Sequence, residues 1–180
     1  TTVAPKSTEP QPKYMEFTHS GQITQRIEYA YDANGNKVTE YDYQLISGSS
    51  NDNLELSIIT NYSYNDHGDV IKETASSGSS GQVYYELAYS YEYDEQNRVS
   101  VCYVNGEKRD YSYDSQGRLS KVTSYYNGAY YNGCTYSYDK NGRKTKESND
   151  NFGYDYSYTY DKQGRLASWK NALGTAKFYY

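Results

Sequence analysis

The feature that most constrains this chain is a nine-residue unit, Tyr-x-Tyr-Asp-x-x-Gly plus two residues, which recurs six times. The copies are YAYDANGNK (29–37), YSYNDHGDV (62–70), YEYDEQNRV (91–99), YSYDSQGRL (111–119), YSYDKNGRK (136–144) and YTYDKQGRL (158–166). A looser copy, MEFTHSGQI (15–23), puts Phe17 at the second tyrosine and Gly21 at the glycine, and Phe178-Tyr179-Tyr180 has the form of a further start. An internal repeat of this kind fixes the architecture before any other reasoning is needed. Tyr-x-Tyr alternates with small polar residues at period two, the mark of a strand with one covered face. Asp then opens a turn by accepting the backbone amides that follow it, and the glycine takes the positive φ that closes it. Asp-x-x-Gly therefore predicts a type I turn with a glycine bulge. The turn residues are Asp32 and Gly35, Gly68, Asp94 with Asn97 in the glycine place, Asp114 and Gly117, Asp139 and Gly142, and Asp161 and Gly164.

That turn sets a register. Asp114 falls opposite Arg118 and Tyr113 opposite Leu119. Likewise Asp94 meets Arg98, Tyr93 meets Val99, Tyr91 meets Val101, Asp161 meets Arg165, Tyr160 meets Leu166 and Tyr64 meets Val70. On this register every apolar partner shares the tyrosine face and the acid–base pairs lie on the other. Val104-Asn105-Gly106-Glu107 is a tight hairpin, while 47–53, 76–81, 127–133 and 149–153 are Gly-, Ser- and Asn-rich loops. The expected fold is all-β: an antiparallel β-hairpin repeat meander of about fourteen strands over residues 13–180, twisted or curled into a sheet. Residues 1–12 read as a flexible Pro/Thr-rich leader.

Composition enters because a chain this poor in aliphatics needs another source of apolar surface. Leu, Ile, Val and Phe together make up about an eighth of the 180 residues, whereas tyrosine occurs 27 times. A tyrosine that buries about 100 Å² of ring contributes on the order of 2.5 kcal/mol, so the rings can hold the sheet together. The net charge of −5 comes with no basic stripe, which speaks against nucleic acid or an anionic membrane as partner. No apolar run is long enough for a spanning helix, and no continuous aliphatic band suits an outer-membrane barrel. A start at Thr1 rather than Met suggests a trimmed export signal, hence a secreted, periplasmic or cell-surface location.

The Tyr-x-Tyr-Asp-x-x-Gly-Arg-Leu pattern resembles the YD repeat of the RHS family, and the tail GRLASWKNALGTAKFYY (164–180) is especially similar to that family's unit. The resemblance implies an exported, all-β, non-catalytic chain. The family is found in secreted bacterial toxins and animal adhesion proteins, where long arrays coil into a hollow shell, and sugar binding is attributed to some members.

Candidate chemistry is sparse. His19 and His67 sit at turn positions and read as polar turn residues, and Gly78-Ser79-Ser80-Gly81 lacks the spacing of a nucleophile turn. The clusters Asn51-Asp52-Asn53 and Asn149-Asp150-Asn151 offer oxygen ligands, but without the spacing of a calcium loop they read as solvated loops. No metal or cofactor is called for. Tyr125, Tyr126, Tyr130 and Tyr131 break the alternation. Consecutive tyrosines face opposite ways, so some are expected to be exposed as platforms for a sugar ring. Trp169, on the face opposite Leu166, invites the same reading. Cys102 is expected opposite the tyrosine face and Cys134 on it, some three strands apart, which rules out a bridge between them. The functional expectation is a non-enzymatic, extracytoplasmic repeat scaffold or binding module for a glycan or a cell-surface protein. The alternatives are a polysaccharide hydrolase with unrecognised carboxylates and a fragment of a larger RHS-type toxin shell.

Overall fold

The computed structural model describes residues 11–45, 53–151, 153 and 155–180, and every regular element among them is a strand. In chain order these are β1 (Tyr14–His19), β2 (Gln22–Tyr31), β3 (Lys37–Leu45), β4 (Leu54–Tyr64), β5 (Val70–Ser77), β6 (Val83–Tyr93) and β7 (Val99–Val104). There follow β8 (Glu107–Tyr113), β9 (Leu119–Tyr126), β10 (Ala129–Tyr138), β11 (Lys144–Asn149), β12 (Asp155–Tyr160), β13 (Leu166–Lys170) and β14 (Thr175–Tyr179). Most of the expected 1–12 leader, and the Asn51-Asp52 part of the first acidic cluster, lie outside the described residues.

Each strand's neighbours in the ladder are its predecessor and its successor, and β1 also pairs antiparallel with β14. The meander is therefore a closed barrel, not the open twisted or curled sheet the sequence suggests. The physical reason is that an open meander leaves two edge strands with unpaired backbone groups, and pairing β1 with β14 removes both. The chain divides into two compact units. One holds Thr1–Leu87, Tyr160–Trp169 and Leu173–Tyr180, and the other holds Ala88–Thr159 and Lys170–Ala172.

The turn has the predicted geometry. In the fourth copy Gly117 N–H donates to the Asp114 carbonyl (2.9 Å) and Asp114 N–H to the Arg118 carbonyl (2.8 Å), with Gly117 at φ 78°. Asn97 takes the same place at φ 60°. The Asp114 carboxylate caps the turn: Oδ1 accepts the amides of Gln116 and Arg118 (both 2.9 Å), while Oδ2 accepts Arg118 Nε (2.7 Å). Asp94 and Asp139 bind the same three groups in their own turns.

One residue beyond each turn pair, the ladder slips. Tyr113 faces Leu119 but Ser112 faces Lys121, so Ser120 bulges out. The same single-residue bulge falls at Val38, Ile71, Ser100 and Thr145. At Ser100 and Ser120 the hydroxyl donates back across the strands, to the carbonyls of Glu92 and Ser112 (both 3.1 Å). A bulge reverses the facing of everything after it, and it corrects the register given above. Tyr93 does face Val99, but Tyr91 faces Cys102 rather than Val101, which lies opposite Glu92. Cys102 and Val104 thus belong to the tyrosine face, where they are buried, and Val101 and Tyr103 to the other. Cys134, opposite Val122, which itself faces Tyr111, is on the tyrosine face too. The two thiols share a face. What separates them is the pair of intervening strands, β8 and β9, or about 14 Å of sheet, against the ~7 Å that a disulfide allows.

The slip also moves charge onto the tyrosine face. The residue eleven past the first tyrosine faces that tyrosine: Glu40 on Tyr29, Glu73 on Tyr62, Cys102 on Tyr91, Val122 on Tyr111 and Glu147 on Tyr136. In two copies a lysine opposite the second tyrosine completes an ion pair, Lys37–Glu40 and Lys144–Glu147. Each lysine lies over two rings: Lys37 over Tyr29 and Tyr62, and Lys144 over Tyr136 and Tyr158. Each glutamate accepts the hydroxyl of the next strand's tyrosine, Tyr62 at 2.8 Å and Tyr158 at 2.9 Å. The tyrosine face is therefore not purely apolar, as the uncorrected register implies.

Four hairpins are latched by the second tyrosine of the Tyr-x-Tyr (Phe-x-Tyr at 178–180) that follows them. Tyr113 donates to the Val99 carbonyl (2.7 Å), Tyr138 to Leu119 (2.6 Å), Tyr180 to Leu166 (2.9 Å) and Tyr64 to Lys37. The accepting residue in each of the first three is the one just before the bulge or its equivalent. Above the ring sits the previous turn's arginine: Arg98 is 4.2 Å from the Tyr113 centroid, Arg118 4.7 Å from Tyr138 and Arg165 4.5 Å from Tyr180. One hydroxyl bond and one cation–π contact are each worth about 1 kcal/mol. The arginine that caps its own turn also grips its neighbour.

Candidate functional site

The four tyrosines that break the alternation lie on the hairpin between β9 and β10, whose Asn127-Gly128 tip takes φ 49° and 76°. Tyr125 faces Tyr130 and Tyr126 faces Ala129; Tyr131 is then skipped in a bulge before Asn132 pairs with Ser124. The bulge sorts the four rings into two pairs. Tyr126 follows Val122 and Ser124 onto the tyrosine face, and its ring centroid is 6.3 Å from that of Tyr131, tilted 50°. Tyr125 and Tyr130 lie on the opposite face.

The two pairs differ in how they are held. Tyr130 donates its hydroxyl to Asp150, whose other carboxylate oxygen accepts Gly133 N–H at 2.7 Å. That bond raises the Tyr130 phenol above its ordinary value and holds Asp150 below the usual carboxylate range. A Cβ at Gly133 would sit 2.7 Å from Asp150 Oδ2 and 3.0 Å from the Tyr130 hydroxyl, so a side chain there would displace this bond. Tyr125 lies beneath Lys108 Nζ, 5.5 Å from the centroid, and its hydroxyl is bonded to Asp110, which raises its phenol as well. Tyr126 and Tyr131 lean on each other with 60% and 47% of their surface exposed, and Tyr130 is exposed to 56%. The second acidic cluster braces the hairpin from outside: Asp150 holds Tyr130, and Asn151 Nδ2 donates to the Tyr131 carbonyl (2.8 Å).

Trp169 does not join them. It belongs to the other compact unit and packs on Phe17, ring centroids 5.6 Å apart. Phe17 faces Gln25, two residues along β2 from Ile27 and four from Tyr29, so Trp169 stands on the tyrosine side rather than opposite Leu166. A slip after Leu166 like those in the other five copies would produce this placement. His19 Nδ1 bonds the Leu173 carbonyl (2.7 Å), and His67 lies in the second copy's turn. Among the described residues no three His, Cys, Asp or Glu side chains are grouped to hold a metal ion, and no helix is long and apolar enough to cross a membrane.

Known proteins place this geometry in context. Residues 93–125, from the second tyrosine of the third copy to Tyr125, match the model of the RHS Repeat family. No curated protein matches the chain. Among solved structures, a porin-like protein from Bacteroides uniformis aligns over 95% of this chain and 99% of its own at 12% identity and TM-score 0.50, a likeness of fold alone. A TcdB2-TccC3-Cdc42 structure aligns over 84% of this chain at 20% identity and TM-score 0.33. The Photorhabdus luminescens Tc holotoxin pore aligns over 86% at 17% identity and TM-score 0.32. This chain spans only 9% and 11% of those two toxin chains, and at such scores the likeness goes no further. The family match and the hairpin geometry fall on the same segment: residues 93–125 match an RHS repeat.

Proposed function

We propose that the chain is a non-enzymatic, extracytoplasmic repeat scaffold that binds a glycan through Tyr126 and Tyr131. The observation that carries this reading is the exposed, tilted ring pair on a hairpin whose other two tyrosines are tied down by Asp150, Asp110 and Lys108. A braced hairpin presents two aromatic faces at low entropic cost, and a sugar ring offers them C–H groups on one side and hydroxyls at the rim. The RHS repeat supports the scaffold role and an extracellular or surface setting. A cell-surface protein is the other partner class for the same patch.

The test is a glycan array probed with the wild-type chain and with a Tyr126→Ala/Tyr131→Ala variant of unchanged denaturant midpoint. Retention of a glycan by the wild type and its loss in the variant supports the reading. Equal loss of binding and folding assigns the rings to the core, and turnover of the same glycan in a hydrolysis assay makes the chain an enzyme.

A further inference from the structure

A second constellation stands in the compact unit that contains β1 to β5. Phe17 on β1, Gln25 on β2 and Gln44 on β3 are consecutive cross-strand partners, so their side chains share one face. Together with Thr24 and Leu45 they line a cavity of about 440 Å³, within the ~300–1,000 Å³ usual for small-molecule sites. Its aromatic wall is fixed. The Phe17 ring is held between Trp169 and Gly174, where a Cβ would come within 2.5 Å of Phe17 Cζ.

The polar side of the cavity is fixed by a carboxylate that does not line it. Asp42 accepts Gln25 Nε2 on both oxygens (2.9 Å each) and Gln44 Nε2 on Oδ2 (3.0 Å). A carboxylate only accepts, so these bonds decide which way each amide is turned. Gln25 Nε2 makes two bonds to Asp42 and Gln44 Nε2 one, so the two Oε1 atoms, with the second N–H of Gln44, are what these amides offer a ligand. The cavity thus presents two oriented acceptors and a fixed aromatic ring, with no charged side chain in its lining.

We infer that this cavity is a binding site for an uncharged ligand that donates hydrogen bonds and has an apolar face, which is the chemistry of a neutral sugar ring. Its hydroxyls donate to Gln25 Oε1 and Gln44 Oε1, and its C–H face lies on Phe17. An anion is disfavoured by Asp42. A cation would have to compete with the three amide bonds that already satisfy that carboxylate. The site stands on different residues from Tyr126 and Tyr131 and does not rest on them.

Trp169 is the chain's one tryptophan and touches Phe17, so its fluorescence reports this cavity, and titrating a Tyr126→Ala/Tyr131→Ala variant alongside separates it from the β9–β10 hairpin. The experiment titrates the full chain with lactose, cellobiose and N,N′-diacetylchitobiose, and separately with choline chloride, following Trp169 emission. A saturable change with at least one disaccharide is expected, weakened about tenfold in Gln44→Leu through loss of one hydrogen bond. Gln44 is exposed, so this variant folds, and circular dichroism checks that it does. Three results each overturn the site: no saturable change with any of the sugars, equal affinity in Gln44→Leu, or saturation by choline chloride alone. Failure here leaves the array result at Tyr126 and Tyr131 standing, and the converse holds.

Discussion

Two hairpins built on the same turn, 111–122 and 136–147, fill the tyrosine face in opposite ways. In the first, Leu119 and Val122 lie against Tyr113 and Tyr111; in the second, Lys144 and Glu147 lie against Tyr138 and Tyr136. Turn and bulge are the same, while the two inner positions change together from apolar to ionic. In these two hairpins the positions act as a pair, whereas at 62–73 Val70 stands beside Glu73, whose carboxylate accepts the Tyr85 hydroxyl (2.8 Å) instead of a lysine. A lone lysine or glutamate at 144 or 147 would leave a half-buried charge without its partner, whereas the pair brings its own neutralisation and adds bonds to Tyr158 and two rings.

The largest effect is expected where both hairpins are equally dependent. Tyr138 links them, through the Leu119 carbonyl and the Arg118 guanidinium. Tyr138→Ala should cost about 2–3 kcal/mol in urea unfolding and Tyr138→Phe about 1 kcal/mol, because phenylalanine keeps the ring and loses only the hydroxyl bond. Equal costs would mean the hydroxyl contributes nothing and the latch is packing alone. The turn comes next. Gly117→Val should cost about 1–2 kcal/mol from the positive φ alone, whereas Asn97→Gly in the preceding hairpin should stabilise by a few tenths. An unmoved midpoint for Gly117→Val would refute the bulged-turn assignment.

The inner pair gives the sharpest comparison. Glu147→Val should cost about 1–2 kcal/mol, and adding Lys144→Leu should recover most of it by rebuilding the apolar filling of 111–122. Additive losses in that double-mutant cycle would show that the two positions are independent. The smallest effects concern pH. At Asp94 the Arg98 guanidinium, and at Asp114 and Asp139 the backbone amide four residues on, hold the carboxyl below its ordinary value. A depressed folded-state pKa gives stability that is present above the unfolded value of about 3.9 and lost as pH falls through the folded one. The midpoint should therefore drop below about pH 4, and Asp114→Asn should flatten that limb slightly. Burial pushes Tyr31 and Tyr85 up to about 12, so their contribution is complete below about pH 10 and fades as pH rises towards 12.

The strands, their number and the turn chemistry were legible because each is local: Tyr-x-Tyr sets a face and Asp-x-x-Gly sets a turn. The bulge was not, since no single residue type marks it: Val38 and Ile71 are apolar, while Ser100, Ser120 and Thr145 carry hydroxyls. A signal did exist. Lys and Glu three apart, at 37 and 40 and again at 144 and 147, fall on opposite faces of a regular strand, yet their counterparts Leu119 and Val122 are both apolar. The ion pairs 37/40 and 144/147 and the apolar pair 119/122 each fit one face only if an extra residue lies between the two positions. Missing that slip misplaced Cys102, Val101 and Tyr103 in a single step. Closure was invisible for another reason. Tyr14 meets Tyr179 across nearly the whole chain, and no local pattern encodes a contact of that separation.

The latch has a direction. In these latches the carbonyl belongs to the earlier hairpin and the tyrosine lies 14 residues downstream of Val99 and of Leu166, 19 of Leu119 and 27 of Lys37, with the earlier turn's arginine over the ring in the first three. On a ribosome, where the amino end emerges first, a newly made hairpin has its turn and bulge but still lacks its clasp. The clasp arrives with the next Tyr-x-Tyr. Synthesis thus works as a ratchet in which the hairpins that carry Lys37, Val99, Leu119 and Leu166 are each fastened by a later tyrosine, and nascent chains stalled just before and just after Tyr138 should differ in the protease resistance of the hairpin at 111–122.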